Sequence, residues 1–505
     1  MTFSIRRRQL VVGGLVLPLL GAQPKAQAQP VKTDALFKPL LRPTVHSGQE
    51  SWTLADRMAH YNVPGVAIAI LRGWQIESVS GYGTAIAGQS LPIHPGTLFS
   101  VGSVSKVATA ALCLRLVADG HFALDQDVNR WLRRWQMPAG PTGDTAAVTL
   151  RMLLSHTAGL NLHGFADFPP AAPLPTPIQT LNGISPAPNR PLARIDAAGS
   201  RTRYSGGGYM VVQALIEDAL SAPFDEVARR YLFGPLGMTR SRFVAAPVSG
   251  IGDIAWPHDK AGKLAAQPRG WQSFPELAPS GLWTSAADLA QLVQALGTSH
   301  RGAIDAYLPR AVAAEMMTPV SPSMFGLGPR LAGSGQGEIF HHAGANDSYK
   351  AYIEGNLASG DGLVILTNGA NGDVLGDEIR NGVSDALRWP GDWSVVVIAD
   401  PDVTLLDSLA GRYKRRAGQA REIISMLDTT WDVESLVIDH NADGLRLLAR
   451  GRERRLAPIG SARFVVPDAY VPASTLQLVF KRNAFGRTES LVVSGGGDLL
   501  FDRVS

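Results

Sequence analysis

The most constraining feature of this sequence is a run from Ser103 to Ala118 that has helical periodicity and is apolar on nearly every face. A helix of this kind has no face suited to water, so it is expected at the centre of a folded domain. Gly120 ends the run. A chain of 505 residues with 45% hydrophobic side chains has enough material to build a sizeable core around such a helix.

Two polar residues at the start of this run, Ser103 and Lys106, fit the pattern Ser-x-x-Lys. Residues three apart share one face of a helix, so the lysine amine can reach the serine hydroxyl. A serine hydroxyl is a weak nucleophile until a base takes its proton, and a lysine does so only where burial or charge lowers its pKa. The pair therefore predicts a nucleophile, Ser103, with Lys106 as its base. The rival patterns Gly-x-Ser-x-Gly and His-Glu-x-x-His do not occur.

Residues 1–28 are typical of a secretion signal. Three arginines at positions 6–8 precede the apolar run 10–20, and residues 26–28 supply the small-residue cleavage pattern Ala-Gln-Ala. The paired arginines resemble a twin-arginine signal. An apolar run of about 11 residues is shorter than the ~20 that span a bilayer, which disfavours the alternative of a membrane anchor. We therefore predict export to the periplasm or the extracellular space, without stable membrane insertion.

The charge balance argues against nucleic acid as a partner. The whole chain has a net charge of +4, but residues 1–28 carry four basic and no acidic side chains. The remainder therefore has 43 of each sign and no net positive field to attract nucleic acid or an anionic membrane. The single cysteine, Cys113, lies in the apolar helix, so we expect a buried structural thiol and no intramolecular disulfide.

The chain divides into a signal segment, 1–28, a catalytic domain, 29–395, and a C-terminal domain, 400–505. The Pro-, Ala- and Asn-rich segment 161–203 has little periodicity and predicts a long insert without regular structure. Beyond residue 400, short β-rich runs separated by turn residues predict a small all-β barrel. In the catalytic domain we predict strands at 64–71, 76–82, 348–355 and 361–367, and helices at 208–222 and 284–297.

Several phrases make the chain resemble the β-lactamase-related serine hydrolases. This family includes class C β-lactamases, D-Ala-D-Ala carboxypeptidases, D-aminopeptidases and carboxylesterases. The phrases are Thr97–Ser103, Leu153–Leu160, Pro235–Met238 and Ser280–Leu289, and together they cover about residues 50–390. The resemblance implies an α/β fold: a β-lactamase/transpeptidase-like sandwich of an antiparallel sheet with helices, plus an all-helical lobe. Ser103 would lie at their junction.

The segments Leu409–Tyr413 and Leu500–Arg503 resemble parts of the lipocalin-like barrel appended to some members of the family. This likeness implies a lipocalin-like C-terminal domain. Such a domain could shape the entrance to the active site, bind a ligand or only stabilise the chain.

The family's second motif, Tyr-x-Asn, corresponds to Tyr204-Ser205-Gly206. The resemblance implies that Tyr204 shares the acid–base work with Lys106. Gly206 replaces the asparagine that would help to bind a substrate amide. This departure weakens the expectation of β-lactam and peptide turnover more than that of ester cleavage.

The third motif, Lys-Thr-Gly or His-x-Gly, corresponds to His342-Ala343-Gly344. By the same resemblance, His342 would bind the carboxylate or carbonyl side of a substrate or support the proton network. Gly344 and Asn346 would help to line the substrate site. The backbone N–H groups of Ser103 and Ala345 would form an oxyanion hole, in which a single donor is worth ~10²–10³ in rate.

Two other candidates, a second Lys-x-Gly match and a histidine, are not expected to belong to the catalytic site. Lys260-Ala261-Gly262 also fits Lys-x-Gly but precedes the phrase Ser280–Leu289, so we interpret it as a surface turn. His156 belongs to a phrase that is structural in the family. His156, His341 and His342 lack the spacing of metal ligands, so no metal site is expected.

Together these features predict a serine hydrolase that needs no metal or organic cofactor and forms an acyl-enzyme on Ser103. Its substrate would be a small molecule or derived from peptidoglycan: a small ester, a D-amino-acid peptide or a β-lactam. One alternative is a penicillin-binding or sensor protein that is acylated but hardly turns over. Another is an interaction protein in which the β domain matters and the hydrolase site is a relic. The sequence does not indicate an oligomeric state.

Overall fold

The computed structural model describes residues 38–46, 51–168, 173–245, 253–265, 275–390, 395–397, 403–417, 433–467, 476–494 and 498–504. The predicted signal segment, 1–28, lies outside these ranges. Among the helices that they contain, none is both long and apolar enough to cross a bilayer.

A six-stranded antiparallel sheet forms the framework of the catalytic part. The strand Gly362–Thr367 lies inside this sheet and is buried at every residue. Leu363 and Ile365 pack against the helix Gly372–Leu387 on one face, whereas Gly362 faces the helix Ala286–Arg301 on the other. The sheet is therefore covered by helices on both faces, as predicted. Its strands, in spatial order, are Gln75–Gly83, Gly65–Arg72, Gly362–Thr367, Tyr349–Asn356, Ile339–Asn346 and Arg330–Ala332.

The all-helical lobe is built around the helix Ser105–Ala118, which we call the central helix. It is buried along almost its whole length, and Cys113 is fully buried, which raises the pKa of its thiol. The helix begins two residues later than predicted because Gly102–Val104 forms a separate 3₁₀ turn. The other helical segments of the catalytic part are Leu54–His60, Leu150–Leu154, Pro177–Asn182, Gly206–Leu220, Phe224–Ala228, the π-helix Arg229–Phe233, Gly234–Leu236, Leu277–Ser280, Arg310–Met316 and the 3₁₀ turns Val128–Arg130, Pro141–Gly143 and Gly335–Gly337.

Within its described residues, 161–168 and 173–203, the insert contains one helix, so the prediction of an entirely irregular segment was wrong. The helix Pro177–Asn182 starts with a capping box, in which Thr176 and Gln179 satisfy each other's backbone N–H groups. Its Leu181 is buried. The helix has six residues, too few for a periodic pattern to stand out in a sequence rich in Pro and Ala.

The C-terminal part forms a nine-stranded antiparallel sheet. The edge strands Arg452–Arg455 and Ala457–Gly460 are separated in the chain by one residue, so the sheet must curl until the adjoining ends of these two strands meet. The result is the nearly closed, barrel-like sheet that was predicted, with alternate apolar residues in its core. The strands between those edges are Gly444–Ala449, Ser435–Asn441, Gly411–Arg415, Asp498–Arg503, Thr488–Ser494, Gln477–Arg482 and Arg463–Val465, and the short helix Val403–Leu409 precedes them in the chain.

Two small sheets complete the described structure. Phe99–Ser100, Leu282–Thr284 and Arg242–Phe243 form an antiparallel sheet beside the central helix. Val45–His46 pairs in parallel with Val395–Val396.

Candidate active site

The serine–lysine pair lies where the helical lobe meets the main sheet. Ser103 is the middle residue of the 3₁₀ turn Gly102–Val104, and Lys106 follows in the first turn of the central helix. The Lys106 Nζ donates a hydrogen bond to the Ser103 Oγ over 3.0 Å. The lysine is only 2% exposed, whereas Ser103 is half-buried. The spacing of the pair in the sequence thus becomes a direct contact.

The position of the Lys106 amine is set from three sides. Besides Ser103, it donates to the carbonyl oxygen of Pro279 over 2.9 Å, and it lies 4.9 Å from the centre of the Tyr204 ring. In the described part of the chain, no carboxylate forms an ion pair with it. Its contacts therefore direct the amine at the nucleophile.

Tyr204 is held in place by the start of the helix that follows it. Ser205 caps the helix Gly206–Leu220 by accepting from the backbone N–H of Gly208, and its hydroxyl donates to the carbonyl oxygen of Leu162. This anchors the backbone directly after Tyr204, so its ring remains against the Lys106 amine.

His342 lies behind Tyr204 in the protein interior. It is 2% exposed, and its ring centre is 6.3 Å from that of Tyr204. Its Nδ1 donates to the carbonyl oxygen of Ala343 over 2.6 Å, because a carbonyl can only accept. Burial lowers the pKa of His342 well below its usual range, and the cations Arg330 and Lys106 add to this effect. The ring is therefore neutral near pH 7 and lies away from the cleft surface.

The strand Ile339–Asn346 runs very close to the nucleophile turn. A Cβ on Gly344 would stand 2.0 Å from the Val101 carbonyl oxygen and 3.0 Å from the Ser103 nitrogen, so only glycine fits there. Gly102 has a φ of +48°, and a Cβ added there would stand 2.6 Å from the Ala345 nitrogen. The two glycines thus allow the backbones of Ser103 and Ala345 to meet at one edge of the cleft.

Comparison with known proteins decides the family. The family model described as Beta-lactamase matches residues 53–388, a span that covers more than half of the chain. The chain belongs to the Beta-lactamase family. Penicillin-binding protein 4 of Amycolatopsis lactamdurans is 26% identical over 386 residues, 71% of this chain and 95% of that protein. Esterase EstB of Burkholderia gladioli is 31% identical over 191 residues, 36% of this chain and less than half (47%) of the esterase.

A solved structure extends the likeness to the fold. The octameric penicillin-binding protein homologue from Pyrococcus abyssi has a TM-score of 0.58 and is 20% identical, over 89% of this chain and 98% of that one. The predicted β-lactamase/transpeptidase-like sandwich is thereby confirmed as the fold.

Gly206 stands where the Tyr-x-Asn motif has its asparagine, and a side chain there would be in tight contact with its neighbours. A Cβ would lie 3.0 Å from the His163 carbonyl oxygen and 3.0 Å from the Phe165 ring. Because both neighbours belong to the insert 161–203, this segment borders the cleft. An amide side chain at position 206 would require the insert to move.

Asn346, which was predicted to help to line the substrate site, also has contacts that link the sheet to the helical lobe. Its side chain is 5% exposed, and its Nδ2 donates to the Ser100 hydroxyl and to the Ser280 carbonyl oxygen, over 2.7 Å and 3.1 Å. The amide thereby ties the strand Ile339–Asn346 to the helical lobe. We therefore regard Asn346 as a residue that positions this strand.

His156 has a positioning role that the sequence analysis did not identify. Its ring packs against that of Tyr204, tilted by 36° with 4.3 Å between centres, and its Nδ1 accepts the backbone N–H of Ser205 over 3.1 Å. Burial lowers its pKa well below the usual range, with the Lys106 charge as the next contribution. A neutral His156 thus packs against the Tyr204 ring and helps to hold it in position. Its place in the Leu153–Leu160 phrase was the available signal.

Two candidates that the sequence analysis disfavoured, the second Lys-x-Gly match and a metal site, have no support in the described structure. Lys260–Gly262 forms an exposed turn, as expected from the sequence. Across the described ranges, no group of three or more His, Cys, Asp or Glu side chains is arranged to hold a metal ion.

Proposed function

We propose that this protein is a serine hydrolase that cleaves an ester or an amide through an acyl-enzyme on Ser103. The observation that carries the proposal is the 3.0 Å contact between the Lys106 Nζ and the Ser103 Oγ. A serine hydroxyl needs a neighbouring proton acceptor to become a nucleophile, and Lys106 is the basic group in contact with it. Membership of the Beta-lactamase family supports a hydrolase in general.

The first step is attack of the Ser103 oxygen on the substrate carbonyl. Lys106 takes the hydroxyl proton, and Tyr204, whose ring adjoins the amine, gives its own proton to the leaving group and is reprotonated by the Lys106 ammonium. The backbone N–H groups of Ser103 and Ala345 stabilise the negative charge on the carbonyl oxygen. Water then attacks the acyl-enzyme and gives one proton to Lys106, which returns it to the Ser103 oxygen as the acid is released. Neutral, buried His342 and His156 keep Tyr204 in position.

Among acyl donors, the geometry favours esters over β-lactams and peptides. Gly206 provides no side-chain amide, and the space beside it is taken by His163 and Phe165. A donor for the substrate amide is therefore missing, whereas an ester requires no such partner. The likeness to an esterase, although it spans less than half of that protein, points the same way.

A second candidate is a penicillin-binding protein that is acylated and hardly turns over. The likeness to Penicillin-binding protein 4, which covers 95% of that relative, favours it. The two candidates share acylation of Ser103 and differ only in whether water releases the acyl group. The rate of deacylation therefore distinguishes them.

We also propose a location and a substrate class for this enzyme. The segment 1–28 would direct export to the periplasm or the extracellular space and be removed there. The substrate would be a small molecule or a fragment of peptidoglycan, with nucleic acid not a partner.

The test uses the mature protein and a Ser103→Ala variant. Each is incubated with p-nitrophenyl acetate and, separately, with a fluorescent penicillin. We expect fast ester hydrolysis by the mature protein, without lasting penicillin labelling. The Ser103→Ala variant should show neither ester hydrolysis nor labelling. Stable labelling that depends on Ser103, with little ester turnover, would favour the penicillin-binding candidate. Equal activity of the variant would overturn both.

A further inference from the structure

The insert 161–203 brings a further polar side chain, that of His163, to the proposed active site. Its ring centre lies 5.2 Å from that of Tyr204, the residue that would protonate the leaving group. Two other histidines also lie against the Tyr204 ring, but His156 and His342 are each only 2% exposed. The His163 side chain is exposed, so it is the one of these three that a substrate can reach.

The backbone of His163 is held against the second motif. Its carbonyl oxygen accepts the Gly206 N–H over 2.9 Å, and the carbonyl oxygen of the preceding Leu162 accepts the Gly207 N–H over 3.1 Å. The His163 carbonyl oxygen would also stand 3.0 Å from a Cβ on Gly206. The insert therefore lies directly beside the position from which the asparagine of Tyr-x-Asn would bind a substrate amide, and it carries an imidazole.

The His163 imidazole is neutral near pH 7. Although the side chain reaches the surface, the surrounding protein removes enough water from the ring to lower its pKa below the usual 6.5, and the charges of Lys106 and Arg330 add to this effect. A hydrogen bond from the ring to the backbone of Tyr204 raises the pKa but does not cancel the lowering. A neutral imidazole has one N–H and one acceptor nitrogen. Because the N–H is used at Tyr204, the other nitrogen is an acceptor.

This setting favours an uncharged hydrogen-bond donor on the substrate. An ammonium group would be repelled by the positive charges of Lys106 and Arg330, which both act on the His163 ring. An amide N–H would bring with it a carbonyl for which Gly206 offers no side-chain donor. A hydroxyl has neither disadvantage, because it is neutral and donates directly to an acceptor nitrogen.

We propose that His163 is a specificity-determining residue whose acceptor nitrogen binds a hydroxyl on the acyl part of the substrate, next to the scissile carbonyl. The acyl part is chosen because the leaving group would occupy the Tyr204 hydroxyl. This inference rests on the proposed function and deepens it, since it names esters of hydroxy acids as the preferred acyl donors. A hydrogen bond between uncharged groups contributes modestly, so the expected preference is about 3–10-fold.

The test compares p-nitrophenyl hydroxyacetate with p-nitrophenyl methoxyacetate. The two esters have the same leaving group and an oxygen at the same position, but only the first can donate a hydrogen bond from it. The readout is the ratio of their kcat/KM values, because a general loss of activity cancels in this ratio. We expect the ratio to fall by about 3–10-fold in His163→Phe, which keeps a ring and lacks the acceptor nitrogen.

His121→Phe is the matched control. His121 is also exposed and also packs against a tyrosine ring, that of Tyr231, with 5.8 Å between centres. It follows the end of the central helix, whereas Ser103 precedes the start of that helix. His121→Phe should therefore keep the wild-type ratio. An unchanged ratio in His163→Phe, or an equal fall in His121→Phe, would overturn the proposal.

Failure of the proposed function gives a different result. If the mature protein hydrolyses neither ester, methyl hydroxyacetate and methyl methoxyacetate are titrated into Ser103→Ala, and the imidazole resonances of His163 are followed by NMR. A shift with the hydroxyl ligand that the methoxy ligand does not produce would reject the hydrolase and keep the hydroxyl site. Equal shifts, or none, would overturn the proposal as well. Conversely, hydrolysis of both esters with the same ratio in wild type and His163→Phe would remove this inference and leave the hydrolase.

Discussion

Replacing Gly344 by alanine should damage catalysis far more than folding. The new Cβ would stand 2.0 Å from the Val101 carbonyl oxygen, whereas real side chains keep at least 3.0 Å from such an atom. The strand Ile339–Asn346 must therefore retreat by about 1 Å, and a shift of that size in a catalytic group costs about 10²-fold in rate. Because this strand carries the Ala345 N–H, the proposed oxyanion hole would open.

We expect kcat for p-nitrophenyl acetate to fall by about 10²–10³-fold, the range for loss of one oxyanion donor. The fall should appear equally in kcat/KM, because the donor acts on the transition state. Stopped-flow and steady-state release of p-nitrophenolate measure both parameters, and circular dichroism and thermal unfolding report on the fold.

Two other glycines provide matched controls. A Cβ on Gly81 would stand 2.1 Å from the Ile93 carbonyl oxygen, a similar clash, but at the opposite edge of the sheet. Gly81→Ala should lower the Tm and keep kcat. A Cβ added at Gly376 would have nothing within 4 Å, so Gly376→Ala should lower neither kcat nor the Tm. If Gly344→Ala keeps normal kcat, or if Gly81→Ala loses as much, the assignment of the Ala345 N–H is refuted.

Three further predictions concern single side chains. Lys106→Met should lower kcat/KM for p-nitrophenyl acetate by about 10²–10⁴-fold, because the base is lost while an apolar side chain of similar length replaces the buried stem. A folded variant whose kcat/KM falls by less than about 10²-fold would contradict the assignment of Lys106 as the base. Glu354→Gln removes the carboxylate charge that faces the buried Arg380 and should cost about 3–5 kcal/mol in urea unfolding, against about 0–1 for Asp385→Asn in an exposed pair. Burial raises the pKa of Glu276 from 4.5 to about 7. Between these pH values the folded state keeps a proton on Glu276 that the unfolded state has lost, so the free energy of unfolding falls as the pH rises from 4.5 to 7. Glu276→Gln should therefore be up to about 3 kcal/mol more stable than wild type at pH 8 and nearly equal at pH 4, and the same advantage at both pH values would be inconsistent with this account.

Features that depend on local pattern were accessible from the sequence. The central helix was predicted because it is apolar all round, and the contact of Ser103 with Lys106 followed from three-residue spacing on a helix. The barrel strands were predicted from short β-rich runs separated by turn residues, and in the strand Ser435–Asn441 buried and half-buried residues alternate over the first five positions. The family phrases added the main sheet and its helical covering.

Features that depend on long-range packing were not accessible. The Phe165 ring fills the space beside Gly206 only because the insert folds back over the cleft. Asn346 forms its hydrogen bonds with residues 246 and 66 positions away in the chain, and no local pattern indicates that pairing. Glu276 is a charged residue in a segment without periodicity, so its burial becomes visible only in three dimensions.

The most direct test of the central claim is to trap and locate the acyl group. The mature protein is mixed with p-nitrophenyl acetate, quenched in acid within milliseconds and analysed by intact-mass and peptide mass spectrometry. We predict one added acetyl group per chain on Ser103, and none on the Ser103→Ala variant. Full ester turnover without any adduct on the Ser103 peptide, or an equal adduct in Ser103→Ala, would contradict a mechanism through an acyl-enzyme on this serine.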